Sequence, residues 1–393
     1  MNSLDQPLRV ETFRSGIFVF QIGVDLAAAQ PLIDRIEDAH KRFSTIPILP
    51  VIATQLEKEA LVSSVFGTNT IEGGTLTEEE TATVLAAPEN AREEKELRVA
   101  NIRRAYEIAD NFAENALGSP QLQGESGFAT PVLEFMLKDL HKAVTAGLSH
   151  PHNIPGEYRT NHKDQRTQVG DAEHGGIYTP PKCREDIDAL MRQFLEWLNS
   201  DAMRSLSPLI RAPLTHYYFE RIHPFWDGNG RVGRVLEALV MKCAGYQYAP
   251  FALSKYYLEH IDDYFNAFNL ARKEEAKKSP YPNQVFVELF LRGMLDAFNR
   301  LHDRVNRLIG LMLYNNQLYF LRQGKQINDR QYTIIANLLP HGHEHNLVEV
   351  KAQPWFTALY LKLSHMTQTR DLHGLVDKGL IELGKNSLKL RVY

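Results

Sequence analysis

The segment His223-Pro-Phe-Trp-Asp-Gly-Asn-Gly-Arg-Val-Gly-Arg234 sets the reading of this chain. Upstream of it, Leu206 to Ile222 has helical character. Downstream, Val232, Val235, Leu236, Leu239, Val240 and Cys243 recur at helical spacing. Pro224 predicts that the first helix stops at His223, because a residue before proline avoids the α region. The segment is therefore a loop between two helices, with a histidine at the end of one and glycines around the start of the next.

Those residue types suit one kind of chemistry. Gly228, Gly230 and Gly233 let backbone N–H groups converge on an anion at a helix N-terminus, whose partial charge adds attraction. Arg231 and Arg234 are three apart, so both reach the same side of the first turn, and forked guanidinium donors match phosphate oxygens. Asp227 is a hard oxygen donor of the kind that holds Mg²⁺ bridged by substrate phosphates. His223 belongs to the residue type that exchanges protons near neutral pH and can accept one from a hydroxyl nucleophile. Together they describe phosphoryl or nucleotidyl transfer, where positioning and charge stabilisation carry the reaction. Taken singly, a histidine before proline is an ordinary cap or core residue and Asp-Gly-Asn-Gly an ordinary turn; their density between two helices favours the chemistry.

Outward from this loop, helical periodicity runs from about residue 25 to about residue 320. Ile187, Leu190, Met191, Phe194, Leu195 and Leu198 mark one helix, and the unbroken stretch from Ala91 to Ala116 predicts a long one. After about Gly324, helical stretches at Asp329–Leu339, Trp355–Leu363 and Thr367–Lys378 precede two alternating runs split by Gly384-Lys-Asn. Three short helices and a terminal hairpin form a winged-helix pattern. The predicted fold class is mainly α: a helical core with a small β-hairpin flap, plus a C-terminal winged-helix (α+β) module. The predicted divisions are 1–110, an N-terminal helical region; 111–275, a catalytic core; 276–324, a helical connector; and 325–393, the winged-helix-like domain.

Composition narrows the class. A hydrophobic fraction of 44% and a charged fraction of 23% are those of a globular chain with a core. The net charge of -4 argues against attraction of the whole chain to nucleic acid or membrane. Only Cys183 and Cys243 occur, far apart and without metal-ligand spacing, so no disulfide framework is predicted. No secretory signal is visible at Met1 onward, and no apolar run reaches the roughly 18 residues of a membrane span. The expectation is a soluble, cytoplasmic protein. His341, His343 and His345, like His150 and His152, read as solvated histidines rather than a metal site.

The central segment resembles the Fic signature, His-Pro-Phe-x-Asp/Glu-Gly-Asn-Gly-Arg-x-x-Arg, at every fixed position. The resemblance implies that His223 is the general base, that Asp227 holds Mg²⁺, and that Gly228, Asn229 and Gly230 form an anion hole. It also implies that Arg231 and Arg234 contact nucleotide phosphates. The implied activity is transfer of AMP from ATP to a Tyr, Ser or Thr hydroxyl of a protein target, the chain itself included. The family also has kinase-like and phosphocholine-transferring branches; the intact Gly230 favours AMP transfer.

Upstream, Thr68-Asn-Thr-Ile-Glu72-Gly73 reads by itself as a helix C-cap. Beside the signature it resembles the family's inhibitory motif, Ser/Thr-x-x-x-Glu-Gly/Asn. That implies a glutamate pairing with Arg234 where the γ-phosphate would sit, and leaves removal of AMP open as a reverse activity. Gln168, Val169 and Gly170, between Gly156-Glu-Tyr-Arg159 and Tyr178-Thr-Pro-Pro181, resemble the tip of a flap that registers the target by strand pairing. Tyr264-Phe265 resembles the aromatic pair on the adenine side of the pocket, although such pairs are also ordinary core. ATP and a protein with an acceptor hydroxyl are the implied partners, with a homodimer left open. A DNA-binding or protein-interaction role for the tail is the alternative class. Its charge is only slightly basic, since Lys378, Lys385, Lys389 and Arg391 are offset by Asp371, Asp377 and Glu382. A Fic enzyme using another nucleotide donor is the third reading.

Overall fold

The computed structural model describes residues 6–118, 130–161, 165–339 and 342–392. Two strands, β1 (Leu8–Glu11) and β2 (Ile17–Phe20), open the chain. Helices follow: α1 (Leu26–Ser44), α2 (Pro50–Ile71), α3 (Glu78–Ala86), α4 (Glu94–Gly118), α5 (Glu134–Thr145), α6 (Arg184–Leu198), α7 (Asp201–Arg204), α8 (Pro208–Ile222), α9 (Asn229–Cys243), α10 (Ala249–Glu259), α11 (Ile261–Ala276) and α12 (Gln284–Gln323). Then come α13 (Asp329–Leu338), β3 (Glu344–Asn346), α14 (Leu347–Ala352), α15 (Pro354–Tyr360), α16 (His365–Asp377), β4 (Ile381–Leu383) and β5 (Ser387–Leu390).

The chain forms two compact units, Met1–Leu301 and His302–Tyr393, with the division inside α12. In the first, α8 and α9 pack on each other and are buried almost all round, including their charged residues Arg211, Arg221, Arg231, Arg234 and Glu237. The other helices surround this pair: α4 and α5 cover α9, α6 covers α8, and α10 lies along α2. Local chemistry sets the helix starts. Asp25 accepts from the Ala28 N–H at 3.1 Å, and Thr77 with Glu80 makes a reciprocal cap at α3.

The second unit has its own core, built from Tyr314, Ile334, Ile335, Phe356, Leu372, Leu375, Leu380 and Leu388. Its sheet is antiparallel with order β3-β5-β4, and β4–β5 is the terminal hairpin expected from the alternating runs. The Tyr314 hydroxyl donates to the Leu380 carbonyl at 2.7 Å.

Several features differ from the sequence expectation. The β1–β2 hairpin was not anticipated, nor were β3 and α14. Each is short, and three to six residues carry too little periodicity to stand out. Among the described residues, the flap stretch holds one antiparallel bridge, Val169 to Tyr178, and no longer strand pairing. The boundary drawn at residue 110 falls inside α4, which no glycine or proline interrupts before Gly118. The connector drawn at 276–324 is largely α12.

Gly67 is where α2 meets α10 most tightly. A Cβ there would lie 2.6 Å from the Ser254 carbonyl carbon and 2.7 Å from its oxygen. Backbone cannot yield as a side-chain tip can, so Gly67→Ala should lower unfolding free energy by about 1–3 kcal/mol. Urea unfolding of both proteins checks this; equal midpoints would mean the helices part without cost.

Candidate active site

α8 ends at Ile222, and His223 caps it in the left-handed region at φ 48° and ψ 61°. This is uncommon for a residue with a Cβ, and it is held from outside. Arg159 donates through Nε to the His223 carbonyl at 2.7 Å, and its backbone N–H donates to the Pro224 carbonyl at 2.8 Å. Its Nη2 donates to the Pro181 carbonyl at 2.7 Å. Burial of this guanidinium lowers its pKa to about 10.

The loop is closed by Asn229. Its side-chain oxygen accepts from the Phe225 N–H and its amide donates to the Phe225 carbonyl, both at 2.9 Å. The side chain is thus spent inside the loop, so Asn229 can meet an anion only through its backbone N–H. Phe225 stacks on His141 with ring centroids 3.6 Å apart. His141 Nδ1 accepts from the Gly156 N–H at 2.8 Å, so Nε2 carries the proton and donates to the Asp227 carbonyl at 3.0 Å. Burial pushes this imidazole down to about 4, which keeps that neutral form.

Asp227 Oδ1 accepts from the Gly228 N–H and from Arg231 Nη2, both at 2.7 Å. Burial would raise its pKa, but Arg231 and these hydrogen bonds outweigh it and hold the carboxyl low. Arg231 also donates to the Val144 carbonyl at 2.9 Å. A fixed, ionised and one-third exposed carboxylate fits one ligand of a Mg²⁺ shared with substrate phosphates. Among the described residues no group of three or more His, Cys, Asp or Glu could hold a metal alone.

Arg234 is the meeting point of three elements. Its Nη2 donates to Glu72 Oε1 at 2.6 Å and to the Thr68 carbonyl at 3.3 Å, while Nη1 donates to the Tyr264 hydroxyl at 3.1 Å. Tyr264 in turn lies 3.1 Å from His216 Nε2, and His216 Nδ1 lies 2.9 Å from Glu237 Oε2. Tyr257 donates to Glu237 at 3.1 Å. The bonds along this chain are mutually consistent when Tyr264 donates to His216 Nε2 and the His216 Nδ1–H faces Glu237, while Arg234 Nε is buried with no partner among the described residues.

Glu72 caps α2. The next residue, Gly73, is left-handed at φ 78°, with its N–H on the Thr70 carbonyl at 3.0 Å and the Gly74 N–H on the Asn69 carbonyl at 2.8 Å. That pair of bonds is a Schellman ending. Arg98, on α4, donates to the Glu72 carbonyl at 2.7 Å. Thr68 is buried one turn earlier, with Oγ1 donating to Ser254 at 3.0 Å. The Glu72 carboxylate lies against Gly230, where a Cβ would come 2.1 Å from Oε1. Burial would raise the Glu72 pKa, but the Arg234 charge and hydrogen bond win and lower it.

A pocket of about 320 Å³ opens at this point. Glu72, His223, Gly230, Arg234, Tyr264 and Phe265 all line it, with Val169 and Gly170 from the flap stretch. Asp227, Gly228, Asn229 and Arg231 share the same helix start but do not line it. Gly73 is not among its walls either, and of the flap-tip residues Gln168 is not. The flap stretch is fastened by Tyr178, which donates to the Arg221 carbonyl at 2.9 Å, and by Asn269, which donates to the Gly176 carbonyl at 3.2 Å. His345 lies in β3 opposite Leu388, with its ring Nε2 3.0 Å from the Gly342 carbonyl; His341 lies outside the described residues.

Sequence reasoning missed Arg98, His141, Arg159, His216, Glu220 and Glu237 as parts of this site. One signal was available: His216, Glu220 and His223 fall at i, i+4 and i+7, one face of α8.

Because the Glu72 pKa is lowered on folding, its stabilisation is present above the ordinary glutamate range and is lost as pH falls through the folded value. Glu72→Gln should therefore narrow the stability difference between pH 7 and pH 3. Urea unfolding at both pH values measures it; identical pH dependence in the two proteins would count against a working ion pair.

The sequence pattern of the Fic/DOC family matches residues 131–241. A protein adenylyltransferase Fic of Drosophila grimshawi is 31% identical over 222 residues, which are 56% of this chain and 40% of that protein. One from Nematostella vectensis is 28% identical over 270 residues, 68% of this chain and 56% of that protein. The chain thus spans about half the length of these curated relatives. Among solved structures, a Fic family protein from Desulfovibrio desulfuricans G20 has a TM-score of 0.55 at 19% identity, covering 93% of this chain and 96% of that one. Fic-1 from C. elegans has a TM-score of 0.52 at 22% identity, covering 70% of this chain and 72% of that one. With its signature loop inside the matching pattern, residues 131–241 thus match the Fic/DOC family, and the fold is one shared with solved Fic family structures.

Proposed function

We propose that this chain is a protein adenylyltransferase that moves AMP from ATP to a Tyr, Ser or Thr hydroxyl of a protein, itself included, and that Glu72 restrains it. The observation that carries the reading is the Glu72 carboxylate on Arg234 at 2.6 Å, in a pocket that His223 also lines. An arginine buried to 2% exposure and aimed into a pocket suits a polyphosphate; a carboxylate in its place competes for the same donors.

In the proposed reaction the hydroxyl oxygen bonds to the α-phosphorus as the bond to the β-phosphate oxygen breaks and pyrophosphate leaves. His223 accepts the hydroxyl proton. The Gly228–Gly230 backbone and Arg234 bind the phosphates, Arg231 fixes Asp227, and Tyr264 with Phe265 walls the base side. Asp227 would hold Mg²⁺, which when bound offsets phosphate charge. The bridge at Val169 and Tyr178 supports the 168–170 stretch as the strip against which a target segment is registered.

The second unit we read as a winged helix. Its order of helix, strand, helices and hairpin, with β3 beside β5, supports that reading. Its modest charge favours protein contact over DNA. A cytoplasmic setting is part of the same proposal, consistent with only two cysteines, both free.

Glu72→Gly should raise self-modification by about tenfold or more, the effect of removing a competitor worth about 1.4 kcal/mol. His223→Ala in that background should lower it by about 10²–10⁴-fold. Mass spectrometry after incubation with each nucleoside triphosphate and Mg²⁺ reads both. No added AMP mass in Glu72→Gly, or one undiminished by His223→Ala, would overturn the proposal.

A further inference from the structure

Glu220 lies one turn before His223 on α8 and lines the same pocket. Its Oε2 is 3.5 Å from His223 Nδ1, and the two side chains are only 12% and 17% exposed. His223 Nδ1 and Glu220 Oε1 are both buried and take no hydrogen bond among the described residues. Room for the carboxylate is made by α9: a Cβ on Gly233 would come 2.8 Å from Glu220 Oε1. The neighbouring Arg221 does not compete for it, since its guanidinium is engaged by Glu275 at 2.5 and 3.2 Å.

A neutral imidazole carries its proton on one nitrogen, and the partner of that nitrogen decides which. We infer that Glu220 is the positioning residue for His223: its carboxylate accepts the Nδ1–H and leaves the Nε2 lone pair for the acceptor hydroxyl. The inference rests on the reading of His223 as general base. As the hydroxyl oxygen bonds to the α-phosphorus and pyrophosphate departs with the electron pair of the broken bond, the hydroxyl proton passes to Nε2. The imidazolium so formed lies beside the Glu220 carboxylate, which stabilises it. The 3.5 Å separation exceeds hydrogen-bond length; such contacts commonly tighten once substrate is bound.

The test uses the full chain with Glu72→Gly as parent, so that turnover is measurable. Glu220→Ala should lower kcat about 10- to 100-fold with the KM for ATP within about twofold, and the isosteric Glu220→Gln, which keeps an acceptor but not the charge, should fall between. Ring ¹⁵N spectra should show His223 as the Nδ1–H tautomer in the parent and a shift toward Nε2–H in Glu220→Ala. An Nε2–H tautomer in the parent overturns the inference without any substitution. So does an unchanged kcat in a folded Glu220 variant, or a change confined to KM. If His223→Ala stays active, the base reading itself has failed; if it is inactive while the Glu220 variants keep full kcat, only the positioning role has.

Discussion

One buried arginine organises the first unit. From α9, Arg234 reaches two further elements at once, the end of α2 through Glu72 and Thr68 and α11 through Tyr264. A guanidinium removed from water carries a large desolvation penalty unless its donors are met, so these groups are obliged to converge on it. The convergence ties the end of an N-terminal helix to an arginine 162 positions later in the chain. It also means that the end of α2 is registered at the pocket through the Glu72 carboxylate and the Thr68 carbonyl.

The loop between α8 and α9 is rigid for reasons that lie mostly outside it. Asn229 closes it from within, but the left-handed turn at His223 is secured by Arg159, and Asp227 is oriented by His141 from one side and Arg231 from another. Pre-organisation of this kind leaves little to rearrange when charge develops in a reaction. The helices beneath supply stiffness because they are buried on nearly every face.

What could be read in the sequence was what depends on neighbours along the chain. Pro224 gave the end of α8, and the glycines after it gave a helix start. Periodicity gave α4 and α9, and the alternating tail gave the β4–β5 hairpin. What stayed hidden depends on contacts across the fold. Arg159 meets His223 across 64 positions, and His141 meets Asp227 across 86. Nothing local marks either pairing. Asn229 shows the same limit from the other side: its place in the signature suggests an anion ligand, whereas its amide is consumed by Phe225. The single-bridge flap and the brief strands β1, β2 and β3 fall below the length at which pattern separates from chance.

The ending of α2 carries a consequence for how the Glu72 contact opens. Glu72 is the C-cap of this helix, whose terminus is closed by the bonds from Gly73 to Thr70 and from Gly74 to Asn69 and by Arg98 on the Glu72 carbonyl. Withdrawal of the carboxylate therefore needs no more than fraying of a terminal turn with release of Arg98, not departure of the whole helix from its bed. Fraying of helix ends sits at the low end of the opening free energies within a protein. Opening of this ion pair is thereby uncoupled from global stability: a firmly folded molecule can still have one readily parted contact.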